Sequence, residues 1–150
     1  MIPTLERKRN QQLEAQMQDA VVQHLELRAV PGLVFFHVPN GSKLGGARTR
    51  SGIPLAAIRM KRHGLRKGVS DLVFLRPDGV FFALELKAKG KRPTEEQHQF
   101  MGDVIEAHGY AAWTDSLDRA LEILEAWQLI RPNIHSMSLA EQEKWASPGD

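Results

Sequence analysis

Three charged residues near the middle of the chain, Asp71, Glu85 and Lys87, have the types and spacing that could do chemistry. They lie in a stretch reading Gly68-Val69-Ser70-Asp71-Leu72-Val73-Phe74-Leu75, Arg76-Pro77-Asp78-Gly79, then Val80-Phe81-Phe82-Ala83-Leu84-Glu85-Leu86-Lys87. Two runs rich in Val, Leu and Phe around a Pro-Asp-Gly turn predict a β-hairpin. Alternation in the second run sends Val80, Phe82, Leu84 and Leu86 to one face, and Phe81, Ala83, Glu85 and Lys87 to the other. A carboxylate and an ammonium thus share one end of an apolar strand, where charges must be paired or hold a metal. Asp71, at the mouth of the partner strand, can bring a second carboxylate to the same place. Two carboxylates beside a lysine suit a hard divalent cation, because Mg²⁺ commonly takes one or two carboxylates and completes its shell with water and phosphate oxygens. The plainer reading makes Asp71 a turn residue and Glu85 and Lys87 a surface pair, and the pattern alone leaves it open.

The flanking elements must hold this end in place. Leu13, Met17, Val21 and Leu25 recur every four residues and predict a helix from about Asn10 to Arg28, with residues 1–9 as a loose lead-in. Glu14 and Gln18 border its apolar stripe. Pro31-Gly32 ends it, Leu33–Val38 reads as a buried first strand, and Pro39–Ser42 turns the chain outward. A Gly-rich basic loop follows, then a short helix from Leu55 to His63 entered through Pro54 and closed by Gly64. After Lys87, a second basic turn precedes Thr94-x-x-Gln97, the signature of a capping box opening a helix. Gln97 is divided between that cap and support of the carboxylate site, and the two roles are compatible. His37 is assigned to a phosphate contact or to a ring satisfied by a backbone carbonyl. Gly109 ends the third helix, Tyr110–Trp113 forms a last strand, and Asp115 or Ser116 caps a helix with Leu117, Leu121, Leu124 and Trp127 on its core face. Strands in the middle with helices on both sides give a three-layer α/β domain over residues 1–130, with residues 131–150 as a C-terminal tail.

The 150-residue chain, 42% hydrophobic, suits one globular domain. It contains no cysteine, which removes disulfides and thiolate zinc sites, and no apolar run reaches membrane-spanning length. A cytoplasmic protein is the expectation. The net charge of +2 hides an uneven distribution. Lys43, Arg48, Arg50, Arg59, Lys61, Arg62, Arg66 and Lys67 occur in a segment without one Asp or Glu, and Lys89 and Lys91 follow Lys87. Taken alone, such a run reads as a solvated face. Beside a metal motif it points to a polyanion, contacted through phosphates rather than base edges.

The order Asp71, hairpin, Glu85-Leu86-Lys87 resembles the PD-(D/E)xK nuclease core, and Gly68-Val69-Ser70-Asp71-Leu72 narrows the resemblance to the virus-type replication-repair nuclease (VRR-NUC) domains. Glu14 and Gln18, His37-Val38-Pro39-Asn40-Gly41 and Gln97 extend it over roughly residues 12–127. The resemblance implies a restriction-endonuclease-like core with a small mixed sheet flanked by helices. It implies Mg²⁺ or Mn²⁺ held by Asp71, Glu85 and the backbone carbonyl of Leu86, with Glu14 reaching a metal directly or through water. Lys87 would handle the attacking water, and Gln97 would complete the catalytic set. Asn40 and the basic residues named above would contact DNA. By the same resemblance the substrate is branched DNA such as a four-way (Holliday) junction, the protein a homodimer encoded by a bacterium or phage, and its role DNA replication, repair or recombination. The competing readings are a nuclease for single-stranded or linear duplex DNA and a non-catalytic DNA-binding module.

Overall fold

A computed structural model describes residues 4–39, 46–133 and 139–140. Asn40, Lys43 and the tail from residue 141 onward, including Trp145, lie outside the described residues. The chain runs α1 (Thr4–Arg28), β1 (Val34–His37), α2 (Leu55–Arg62), β2 (Leu72–Leu75), β3 (Phe81–Leu86), α3 (Glu95–Glu106), β4 (Tyr110–Thr114) and α4 (Leu117–Ala126).

The four strands form one mixed sheet in sequence order. β1–β2 and β2–β3 are antiparallel, and β3–β4 is parallel. Leu72 pairs with Leu84 and Phe74 with Phe82, the register expected of the hairpin. The alternation in β3 then separates two cores. Leu72, Phe74, Phe82, Leu84 and Leu86 pack with Val21 and Leu25 of α1 and Ala120, Ile123 and Leu124 of α4. Val73 and Ala83 face Phe100 and Val104 of α3 instead. Helices therefore cover both faces of a central sheet. No helix among the described residues is long and apolar enough to cross a membrane.

Strand directions decide where the chemistry collects. β1 ends, β2 begins, and β3 and β4 end at the same edge of the sheet, so His37, Asp71, Glu85, Lys87 and Thr114 are gathered there.

Several expectations are corrected. The stretch predicted as a lead-in is helical from Thr4: Leu5, Glu6, Arg7, Lys8 and Arg9 are good helix formers, and Lys91 Nζ lies 3.5 Å from Glu6 Oε1. The first strand is not buried. Among the described residues β1 pairs with β2 alone, and α3 covers β3 and β4, so Val34 and Phe36 stay 52% and 57% exposed. Phe35 turns inward, its ring 6.4 Å from that of Phe74, and Leu33 and Val38 on either side of β1 pack against the two cores. Gly109 does not supply the left-handed residue that ends α3; His108 does, with φ 67°. Gly109 is required by proximity, because a Cβ there would sit 2.8 Å from Val104 Cγ1 and 2.9 Å from the Phe81 carbonyl oxygen.

Candidate active site

Register brings Asp71 opposite Glu85, and the two residues clasp each other through the backbone. The Asp71 N–H donates to Glu85 Oε2 at 3.2 Å, and the Leu86 N–H donates to Asp71 Oδ2 at 2.9 Å. Each carboxylate is thus aimed by the neighbouring strand's main chain. Strand β1 holds the other side of Asp71: its carbonyl accepts from the Val38 N–H at 2.9 Å and from His37 Nδ1 at 3.0 Å. A carbonyl only accepts, so Nδ1 carries the proton. His37 therefore takes the backbone-satisfied role expected of it.

Glu85 is only 2% exposed. Burial, and then the Asp71 charge, push its carboxyl up to about 8, against the opposing pull of Lys87. Asp71 is also raised, first by burial and then by Glu14, with the Leu86 N–H acting the other way. Lys87 Nζ lies 3.6 Å from Glu85 Oε1, and its side chain is 12% exposed. Its N–H donates to the Thr114 carbonyl of β4 at 2.9 Å, which fixes the backbone beneath the side chain.

Gln97 takes both roles that the sequence left to it. Thr94 Oγ1 accepts from the Gln97 N–H at 3.3 Å and Gln97 Oε1 accepts from the Thr94 N–H at 2.8 Å, a complete capping box. The same amide donates through Nε2 to Glu85 Oε1 at 2.6 Å. Glu14 comes from α1, and its Oε1 accepts from the Ala88 N–H at 3.0 Å, one residue beyond Lys87. Five of the expected residues, Glu14, Asp71, Glu85, Lys87 and Gln97, therefore meet at one end of the sheet. Leu86 contributes through its N–H.

The donor set fits a hard divalent cation. Among the described residues no group of three or more His, Asp or Glu side chains stands ready around one point. Mg²⁺ asks for less, one or two carboxylates with water and phosphate oxygens filling the rest. Glu85 is buried and the neighbouring Asp71 carboxylate raises its proton affinity further, so this pair is one that a cation would stabilise. The Ser70 hydroxyl, one residue before Asp71, is buried without a hydrogen-bond partner.

The basic residues divide more sharply than their run suggests. Arg50, Arg59, Lys61, Arg62, Lys67 and Lys89 are exposed. Arg48 donates through Nη1 to the Gly52 carbonyl at 2.8 Å and braces a turn. Arg66 pairs with Asp103 and lies 5.2 Å over the Phe100 ring, and Lys91 pairs with Glu6. An open pocket of about 390 Å³ lined by Arg66, Lys67, Glu95, Glu96 and Gln99 connects this segment to the first turn of α3. Gly68 makes the connection tight: with φ +79°, its added Cβ would stand 2.4 Å from the Glu96 carbonyl carbon.

Two contributors were not anticipated. The Thr114 carbonyl receives Lys87, and Asp115 Oδ2 accepts from the Gly90 N–H at 2.9 Å. The sequence signal was a polar pair closing the strand that runs beside the Glu-x-Lys strand. Comparisons with protein-family models, curated proteins and solved structures found no match to this chain.

Proposed function

We propose that this protein is a metal-dependent DNA endonuclease of the PD-(D/E)xK type, acting on branched DNA in the manner of VRR-NUC domains. The observation that carries the reading is the Asp71–Glu85 clasp with Lys87 Nζ 3.6 Å from Glu85 at the same sheet end. Asp71 and Glu85 would hold Mg²⁺ or Mn²⁺. Bound there, the ion would supply a water of lowered pKa and polarise a phosphoryl oxygen.

The chain's own side chains do the rest. Gln97 fixes the rotamer of Glu85, and Glu14 secures the backbone after Lys87, so these two act as positioning residues. Lys87 orients the attacking water and balances the charge that grows on the phosphate. Exposed Arg59, Lys61, Arg62, Lys67 and Lys89 hold phosphates without reading bases. A twofold homodimer belongs to the same proposal, since it would offer two such sites to the equivalent strands of a junction.

The test is cleavage of a labelled four-way junction, linear duplex and single strand with Mg²⁺, Mn²⁺ or EDTA, using wild type, Lys87→Ala and Asp71→Ala. The expected result is metal-dependent cutting, preferential for the junction, that falls about a hundredfold or more in either variant. Variants cutting at the wild-type rate would sink the site assignment. Binding without cutting by wild type would establish the non-catalytic module, and equal cutting of all three substrates would remove the junction preference.

A further inference from the structure

Two residues can join an antiparallel pair, yet residues 38–71 separate β1 from β2. Part of this connection is a self-contained unit. The Thr49 N–H donates to the Ile53 carbonyl at 2.8 Å, the Leu55 N–H to the Ala47 carbonyl at 2.9 Å, and the Ile53 N–H to Thr49 Oγ1 at 3.1 Å. Gly52, with φ +83°, completes the turn, leaving Arg50 and Ser51 at its tip. The turn feeds directly into α2. At the other end Gly64, φ +93°, occupies the left-handed position, and the Leu65 N–H donates to the Met60 carbonyl at 2.9 Å. The helix expected from Leu55 is present, and the Gly-rich stretch before it is, from Ala47 onward, a hydrogen-bonded turn.

This unit packs on almost nothing. From residue 46 to residue 67 not one residue is buried, and Ile53 and Leu55 are 49% and 46% exposed. Apolar side chains are thus displayed beside Arg50, Arg59, Lys61 and Arg62, in a segment without an acidic residue. An intact duplex presents phosphates to such a surface but hides its bases. A branch point presents both, because bases there unstack and expose apolar faces.

We propose that the Ala47–Leu65 turn and helix form a pin that engages the branch point of a nucleic acid, its cations on the flanking phosphates and Ile53 and Leu55 against unstacked bases. The inference rests on the nuclease reading above and names the element that selects its substrate. Charge complementarity favours a nucleic acid as the occupant. So does position, since the connection leaves the sheet at His37 and returns at Asp71, the carboxylate end.

The experiment uses the full chain carrying Lys87→Ala, in EDTA, with fluorescence anisotropy on a four-way junction and a linear duplex of equal length across a salt series. The starting protein is expected to prefer the junction. Adding Ile53→Ser with Leu55→Ser should reduce that preference about tenfold without changing the salt slope. Adding Arg50→Ala, Arg59→Ala and Lys61→Ala should weaken both substrates together and lower the slope by about one per cation removed. An unchanged preference in the apolar variant, or no preference to begin with, overturns the pin. So does an apolar variant that keeps its junction preference while turning a dimer into a monomer, or while losing affinity for anionic vesicles. Wild-type cleavage run in parallel keeps the two readings apart. Lys87-dependent cutting with an unchanged preference rejects the pin alone. Absence of cutting rejects the nuclease, and a preference lost in the apolar variant still supports the pin.

Discussion

Glu85 is buried between two groups of opposite effect, the Asp71 carboxylate and the Lys87 ammonium, and burial together with Asp71 prevails. Its ordinary value is 4.5 and its folded value is pushed up to about 8. The folded state therefore binds this proton more tightly than the unfolded chain. The stabilisation is complete below the unfolded value and is lost as pH rises through the folded one. Thermal denaturation of the metal-free protein is expected to show stability falling from pH 5 to pH 8, by on the order of a few kcal/mol. Glu85→Gln should flatten that fall, and Mg²⁺ or Mn²⁺ should offset it in wild type at pH 8. A wild-type profile as flat as that of Glu85→Gln would contradict the assignment. Asp71, Glu85 and Lys87 were legible in the sequence because period-two alternation places charges on an apolar strand. The clasp was not, because the Asp71 N–H meets Glu85 only in one strand register and composition does not fix register.

Among the elements, the helix ends show how far residue type predicts backbone. α3 and α4 both finish with a left-handed residue that is not glycine, His108 at φ 67° and Gln128 at φ 58°. Their closing bonds are nonetheless complete: the Gly109 N–H reaches the Val104 carbonyl at 2.8 Å and the Leu129 N–H reaches that of Leu124 at 3.0 Å. A side chain in this conformation costs about 1 kcal/mol that glycine would not. His108→Gly should therefore raise the melting temperature by about 3 °C, measured by circular dichroism. A lowered melting temperature would show that the His108 side chain contributes more than its backbone strain. The sequence pointed to Gly109 as the stop because glycine marks left-handed residues statistically, whereas here it permits close packing on Phe81 and Val104. β1 misled for a related reason. An apolar run such as Val34-Phe35-Phe36 signals burial only if a layer exists to bury it, and α3 does not extend that far.

Across the whole molecule, the three layers followed from the order of apolar patterns, and the gathering of the charged residues followed from strand direction. In the long connection the helix from Leu55 and its close at Gly64 followed as well, whereas the turn from Ala47 to Leu55 did not, because its hydrogen bonds are local and leave no periodic trace over so few residues. That unit also divides the molecule by accessibility. The body is closed by two cores and by the Arg28–Glu125 pair, with the Val30 N–H reaching the Leu129 carbonyl at 3.0 Å. The pin has no buried residue and carries Arg59, Lys61 and Arg62 in the last turn of its helix. A protease that cuts after lysine and arginine should therefore nick the folded protein there first, well before Lys87 at the end of β3 or Arg119 in α4. The two pieces should migrate separately in denaturant yet elute together from a sizing column, because the β1–β2 ladder spans the cut. Junction DNA should slow the nick. First cleavage elsewhere would mean that residues 46–67 are covered in solution, and the protein would then be carrying its own occupant for the surface.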